Sequence, residues 1–351
     1  MSAKSYSNQK KLWIWFPVLL IILAVVMSIS VSVGAATIEW QTVWKIIFSK
    51  IPFIRDFITV DWSDSTETIV MNIRLPRVIL GMIVGASLAL AGAIYQGVLR
   101  NPLADPYILG VSSGASFGAA LVIILGWQVL WLGRFSLPVV AFLFGFITLV
   151  IVYLLARVQN KIRLETIILS GVVVQAFIGA CLSLVLALFN EQLHTIIFWM
   201  MGSLSLTDWS YNKIVFPIVL VGAIISLFFV KDINMLGLGE EAAHHSGVSV
   251  QRTRFILLVI ASLMTGAAVS VSGAIGFVGL VVPHIIRLLF GSDYRVILPL
   301  SIVGGAIFLV SADTIARIIL APRELPLGII TAFLGAPFFG YLLRKAKREY
   351  F

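Results

Sequence analysis

Residues 92–102, Gly-Ala-Ile-Tyr-Gln-Gly-Val-Leu-Arg-Asn-Pro, and 273–283, Gly-Ala-Ile-Gly-Phe-Val-Gly-Leu-Val-Val-Pro, are two versions of one segment. Gly92, Ala93, Ile94, Leu99 and Pro102 recur as Gly273, Ala274, Ile275, Leu280 and Pro283. Further echoes follow in the same order. Leu137–Pro138 returns as Leu298–Pro299, Leu149–Val150 as Leu309–Val310, and Ala156–Arg157 as Ala316–Arg317. Ala-Phe-Ile-Gly-Ala at 176–180 returns as Ala-Phe-Leu-Gly-Ala at 332–336. The drift in offset is what small loop insertions produce. This reads as a diverged internal duplication, and in a multi-span membrane chain such a repeat points to two halves around a transport pathway.

The chain around the repeat is membrane-like. Of its 351 residues, 60% are hydrophobic and 12% charged, with mean hydropathy +1.05, which excludes a soluble domain of this size. The charge-free stretches predict ten spans: 12–33, 77–99, 107–126, 137–156, 166–189, 211–230, 253–273, 276–291, 296–320 and 326–344. In the eighth, Gly276, Gly279 and Pro283 interrupt the apolar run. The first follows Lys10–Lys11 and is longer than the roughly 7–15-residue core of a signal peptide, so it reads as a retained helix. No linker or soluble domain is visible, and 1–351 is treated as one membrane unit.

Lys and Arg placement sets the orientation. With the N-terminus in the cytoplasm, Arg100, Arg157, Lys161, Arg163, Lys231, Arg252, Arg254, Arg287, Arg295 and the basic tail from Arg344 all fall inside. Asp56, Asp61, Asp64, Glu67, Glu191, Asp208 and Glu324 fall outside. The net charge of +9 is thus topogenic, and its spread among loops gives no phosphate-binding face for nucleic acid. The two repeat halves, 73–189 and 251–344, then run in opposite senses across the membrane, an inverted-topology repeat.

Few segments carry chemistry. The cytoplasmic loop 231–252 holds glycine turns at Gly237 and Gly239, an acidic helix start at Glu240–Glu241, a stop at Gly247 and an apolar edge of Met235, Leu236 and Leu238. That combination suits docking of a soluble partner. The adjacent His244–His245 point about 100° apart on a helix and make poor co-ligands for a metal. Gly110-Val111-Ser112-Ser113-Gly114 matches a nucleophile-elbow pattern, but small residues there serve close helix packing more simply. Asp313 and Arg317 stand at i,i+4 and read as an intramembrane ion pair near the outer end. Cys181, the single cysteine, cannot form an intrachain disulfide. Trp40, Trp44, Trp62, Trp127, Trp131, Trp199 and Trp209 fall near the outer boundary, as in an interfacial belt. No phosphate-loop motif is present, so ATP, if used, binds another chain.

These residues also carry a family resemblance. Arg74-Leu75-Pro76-Arg77, Asn101-Pro102-Leu103-Ala104-Asp105-Pro106 and Leu109 to Gly114 resemble the FecCD/BtuC family of ABC importer permeases. So do Trp199-Met200-Met201-Gly202, Leu238-Gly239-Glu240, Gly276 through His284, Glu324 to Gly328 and Leu334-Gly335-Ala336-Pro337. The match runs from residue 70 onward; the stretch 35–70 is left without a motif. The resemblance implies an all-α, BtuC-like type II ABC importer permease in a bacterial plasma membrane, with both termini cytoplasmic. It implies import of a large metal chelate: a ferric siderophore as the leading expectation, haem or cobalamin as alternatives. Its partners would be a second permease subunit, two ATPase subunits holding ATP and Mg, and an extracytoplasmic solute-binding protein. The chain itself would be no enzyme and hold no cofactor.

The resemblance also places residues. Leu238, Gly239, Glu240, Glu241 and Ala242 would meet the ATPase. Arg74, Arg77 and Arg317, at the outer mouth, would dock the binding protein. Ala176 and Gly179 in the fifth span, with Ala332 and Gly335 in the tenth, would line the pathway. The competing class is an ion-coupled secondary transporter with inverted repeats, which needs ionisable residues deep in its spans; a membrane hydrolase stands third.

Overall fold

In an apolar surrounding the backbone must satisfy its own N–H and C=O groups, and an uninterrupted apolar run does so as an α-helix. The computed structural model describes residues 3–34, 37–126, 132–158, 161–205 and 207–349. Trp127 and Trp131 lie outside them. The first span is α1 (Ala3–Ser32). Two short helices follow, α2 (Trp40–Ser49) and α3 (Asp64–Thr68). Then come α4 (Leu75–Val98), α5 (Val111–Leu125), α6 (Ser136–Ala156) and α7 (Leu164–Leu188). A short α8 (Leu193–Met200) precedes α9 (Trp209–Phe228). Two more, α10 (Val230–Gly237) and α11 (Glu240–His245), lead into the last four: α12 (Val250–Ser272), α13 (Val278–Phe290), α14 (Tyr294–Ile318) and α15 (Leu327–Glu349). Among the described residues, seven helices are long and apolar enough to cross a membrane, and α5, α13 and the Leu327–Tyr341 part of α15 are shorter apolar helices. Together they coincide with the ten sequence spans.

The packing has an exchange pattern. Within 111–188, α5, α6 and α7 touch one another; within 278–349, α13, α14 and α15 do the same. The first helix of each half crosses over: α4 packs on α12, α13 and α14, whereas α12 packs on α4, α5 and α6. Helix α4 is therefore the hub. It continues a rod from Asp64 whose most apolar window is 89% buried, against 17% for α1 and α7. The repeated segments mark paired helices but not residues in register, since Gly92 lies inside α4 and Gly273 just beyond the end of α12.

Glycines set the crossings of the hub. A Cβ on Gly92 would fall 1.8 Å from the Gly279 carbonyl oxygen, and one on Gly85 2.2 Å from that of Gly305. Backbones this close give dense dispersion contact without a polar residue. The sequence suggests a broken eighth span, but α13 is continuous, with Pro283 inside it. Proline cannot donate to the carbonyl four residues back, that of Gly279. The buried Gln96 of α4 supplies donors there, its Nε2 lying 3.4 Å from the Gly279 oxygen and 3.3 Å from that of Leu280.

Of the unassigned stretch, residues 37–70 fold onto the end of the bundle opposite α10 and α11. Val43 and Ile46 of α2 share a small core with Val31, Val70, Leu75, Val78 and Val310. The α3 rod enters α4 through a π-helical turn, Ile69–Arg74.

Candidate functional site

Two groups of side chains lie at opposite ends of the paired helices α4 and α14, separated by the length of α4, about 36 Å at 1.5 Å per residue. The first is built on α10 and α11. Gly239 turns the chain between them at φ +118°, a backbone conformation that glycine adopts without strain. Leu236, Ala243 and Val248 bury one side of this corner. Leu238 projects from it, 70% exposed, and Glu241 is exposed beside it. Ala242 is half-buried.

Glu240, expected as a contact for the partner, is engaged within the chain, its side chain still 46% exposed. Its Oε1 accepts from Arg254 of α12 at 2.7 Å and lies 3.7 Å from Arg100, just past the end of α4. The hydrogen bond from Arg254 holds the Glu240 carboxyl below the usual carboxylate range, against a weaker opposing effect of burial and with the charges of Arg254 and Arg100 adding to it. Helix α10 is tied down as well. Asn234 donates to Asp293 and accepts from the Tyr294 backbone N–H at the start of α14, both at 2.9 Å. Asp232 accepts from Thr253 of α12 at 3.2 Å. The corner is thus braced to α4, α12 and α14, the central helices of the fold.

The second group gathers the three arginines expected to dock the binding protein, and all three are buried. Arg74, Arg77 and Arg317 are 6%, 9% and 8% exposed. Arg74 donates to the carbonyls of Val31 and Ser32, both at 2.8 Å, at the end of α1. Arg77 grips both oxygens of Asp313 at 2.8–3.2 Å and reaches Glu324 at 2.9 Å. Arg317 pairs with Asp313 at 3.1 Å and donates to the Ser30 carbonyl and hydroxyl at 2.9 and 2.7 Å. The i,i+4 pair read from sequence is therefore part of a larger network joining α1, α4, α14 and the loop before α15. The three guanidinium groups and Glu324 line a cavity of about 240 Å³.

The residues expected to line a pathway diverge. Ala176 is exposed on α7, and nothing lies within 4 Å of where a Gly179 Cβ would be. Ala332 is half-buried. Gly335 does not line an open face: a Cβ there would meet the Phe277 ring at 2.5 Å, so α15 uses it for packing. The exposed side of α15 carries Phe333, Leu334 and Tyr341, and that of α7 carries Leu169, Val172, Val173 and Phe177.

The nucleophile-elbow pattern resolves into helix packing. Gly110 is the left-handed residue before α5, preceded by a turn, not a strand, and a Cβ on Gly114 would meet Thr148 at 2.1 Å. His244 and His245 diverge, their ring planes at 89°. Arg100, Arg254 and Gln96 were not singled out as site residues from the sequence. The first two read there only as topogenic charge, and their shared partner lies more than a hundred residues from Arg100.

A predominantly helical membrane protein with crossed helices and a braced corner at one end has the architecture of a transport subunit. The chain belongs to the FecCD transport family, whose model matches residues 19–345. It is 48% identical over 281 residues to the uncharacterized ABC transporter permease protein YvrB of Bacillus subtilis, covering 80% of each chain. It is 46% identical to the cobalamin import system permease protein BtuC of Halobacterium salinarum, covering 80% of this chain and 74% of that one. It is 37% identical to the hemin transport system permease protein HmuU of Yersinia pestis, covering 94% and 95%. A solved structure described as an inward-facing conformation of a putative metal-chelate type ABC transporter superposes with TM-score 0.81 at 32% identity, over 94% of this chain and 98% of that one.

Proposed function

We propose that this chain is the permease of an importer for a metal chelate, with a ferric siderophore as the first candidate cargo. Relatives named for cobalamin, hemin and Fe(3+)-citrate import support the chelate class and keep haem and cobalamin as alternatives. The chain would work with a second permease subunit, two ATPase subunits and an extracytoplasmic binding protein, its termini in the cytoplasm of a bacterial plasma membrane. The halves 73–189 and 251–344 would form the moving units.

The observation that carries this reading is the braced corner. An ATPase outside the membrane can act on the spans only through a rigid element fixed to them. Leu238, Gly239, Glu241 and Ala242 present the surface, and Glu240 transmits force from it to Arg254 and Arg100. At the other end, Arg74, Arg77 and Arg317 face a cavity able to take an acidic group of the binding protein. Such pairing would speed and orient docking and weaken with salt. Ala176 and Gly179 on α7 would face the pathway, with Ala332 on α15.

The test is ATP-driven uptake in vesicles holding the complete transporter and its binding protein, with labelled ferric siderophore, haem and cobalamin offered in competition. Uptake of the siderophore alone supports the first candidate; transport of either other chelate reassigns the cargo. A driving force from an ion gradient without ATP overturns the ABC mechanism. Docking is read separately: Arg74→Gln should lower binding-protein affinity at low ionic strength, and unchanged affinity leaves Arg74 as an anchor for α1.

A further inference from the structure

We propose that Glu324 is a resident stand-in for a partner's carboxylate: it occupies the outer arginine cavity in the resting chain and yields its place when an acidic side chain of a docking protein enters. The proposal rests on the docking reading of that same cavity and adds to it a residue whose role is to be displaced.

The two carboxylates of the network are held very differently. Asp313 is 2% exposed, sits inside α14, and takes three hydrogen bonds from Arg77 and an ion pair from Arg317. It cannot leave without stranding two buried guanidinium groups, a loss of several kcal/mol. Glu324 lies in the loop between α14 and α15, its side chain is 37% exposed, and it meets one nitrogen of Arg77 at 2.9 Å. Its departure would free one edge of Arg77 and nothing else in the network.

Charge and shape argue for the occupant. Arg77 pairs with Asp313 and Glu324 and Arg317 with Asp313, while Arg74, on the same cavity wall, is held by the neutral carbonyls of Val31 and Ser32, so the cavity and its immediate partners carry three positive groups and two negative ones. A second incoming carboxylate would be accepted where a cation would be repelled. Guanidinium planes suit a flat two-oxygen group. The cavity of about 240 Å³ is bounded by Ile73 and Pro322, which leaves room for a side-chain carboxylate beside Glu324 before exchange completes.

The experiment uses the purified full-length chain and the arginine reagent phenylglyoxal, with modification of Arg74 and Arg77 followed by peptide mass spectrometry. The probe is an acetyl-Gly-Glu-Gly amide peptide, with its Gln counterpart as control. The Glu peptide should protect both arginines and the Gln peptide should not. In Glu324→Gln the half-protecting concentration should fall roughly fivefold, the ratio set by about 1 kcal/mol for a partly exposed ion pair. Glu324→Asp, which keeps the charge, should behave as the wild type. Equal half-protection in wild type and Glu324→Gln overturns the proposal. So does equal protection by the Gln peptide, or stronger protection by inorganic phosphate or citrate, which would assign the cavity to a free anion. If the peptide results hold while Arg74→Gln leaves binding-protein affinity unchanged, the docking reading falls and the carboxylate site stands. If Arg74→Gln weakens docking while Glu324→Gln changes nothing, docking stands and the stand-in falls.

Discussion

Gln96 shows how one side chain keeps a proline-bearing helix whole at depth. Its amide faces the Gly279 carbonyl, which Pro283 leaves without a helical donor, and the Leu280 carbonyl beside it. Gln96→Leu should strand the Gly279 carbonyl and lower stability by about 1–3 kcal/mol, the cost of a buried unsatisfied group. Pro283→Ala restores the backbone N–H, so the double variant should recover part of the loss. Thermal unfolding in detergent micelles measures the cycle; independent, additive effects would disprove the link. Glu240 gives a prediction with a sign. Its pKa is depressed in the folded chain, so the contribution of its bond to Arg254 is complete above the ordinary glutamate value near 4.5 and fades as pH falls through the lowered folded value. Hydrogen-exchange protection across 240–248, taken relative to the intrinsic amide rate at each pH, should therefore fall on acidification in the wild type. In Arg254→Met that protection should be low already and lose this pH dependence.

At the scale of elements, the corner α10–α11 is where sequence and structure agree best. Gly239, the acidic start and the Gly247 stop all do what their residue types suggest, because local turn geometry is a local property. Gly239→Ala should strain a φ of +118° and ψ of +158° by about 1–3 kcal/mol and slow transport modestly. Gly239→Trp carries the same backbone strain but meets no atom within 4 Å of the added Cβ, so it should abolish coupled transport while the chain still inserts. Transport and ATPase activity in reconstituted vesicles read both outcomes, and wild-type rates in Gly239→Trp would rule this corner out as the coupling element. The bracing of Glu240 was not legible, because Arg254 lies on α12 and Arg100 in the turn after α4, and nothing in their own neighbourhoods marks them. The same holds for the arginine–carboxylate network. The Asp313–Arg317 spacing shows a pair, but Arg77 stands 236 residues away and joins it only through the crossing of α4 over α14. Segment 35–70 was opaque for a different reason: its helices are short and gain their order by packing on α1 and α4.

For the whole molecule, ten apolar runs fixed the span count in advance, since hydrocarbon leaves no alternative to the helix. Orientation makes a direct prediction. In a Cys181→Ser background, single cysteines replacing the exposed Thr59 and Ser246 should respond oppositely to an impermeant thiol reagent on intact cells. Thr59 should label and Ser246 should not; the reverse result inverts the topology. The crossing of α4 has a further consequence, for how the chain is made. Its Arg77 enters the bilayer long before Asp313 has been translated. At roughly 5–20 residues per second, 236 residues separate the two by about 10–50 s. Throughout that interval a nascent helix bearing an uncompensated guanidinium must be sheltered by the insertion machinery or by water at the membrane surface. A ribosome stalled between the two residues would leave α4 without its bed, so truncated products should be cleared by membrane proteases far faster than the finished chain.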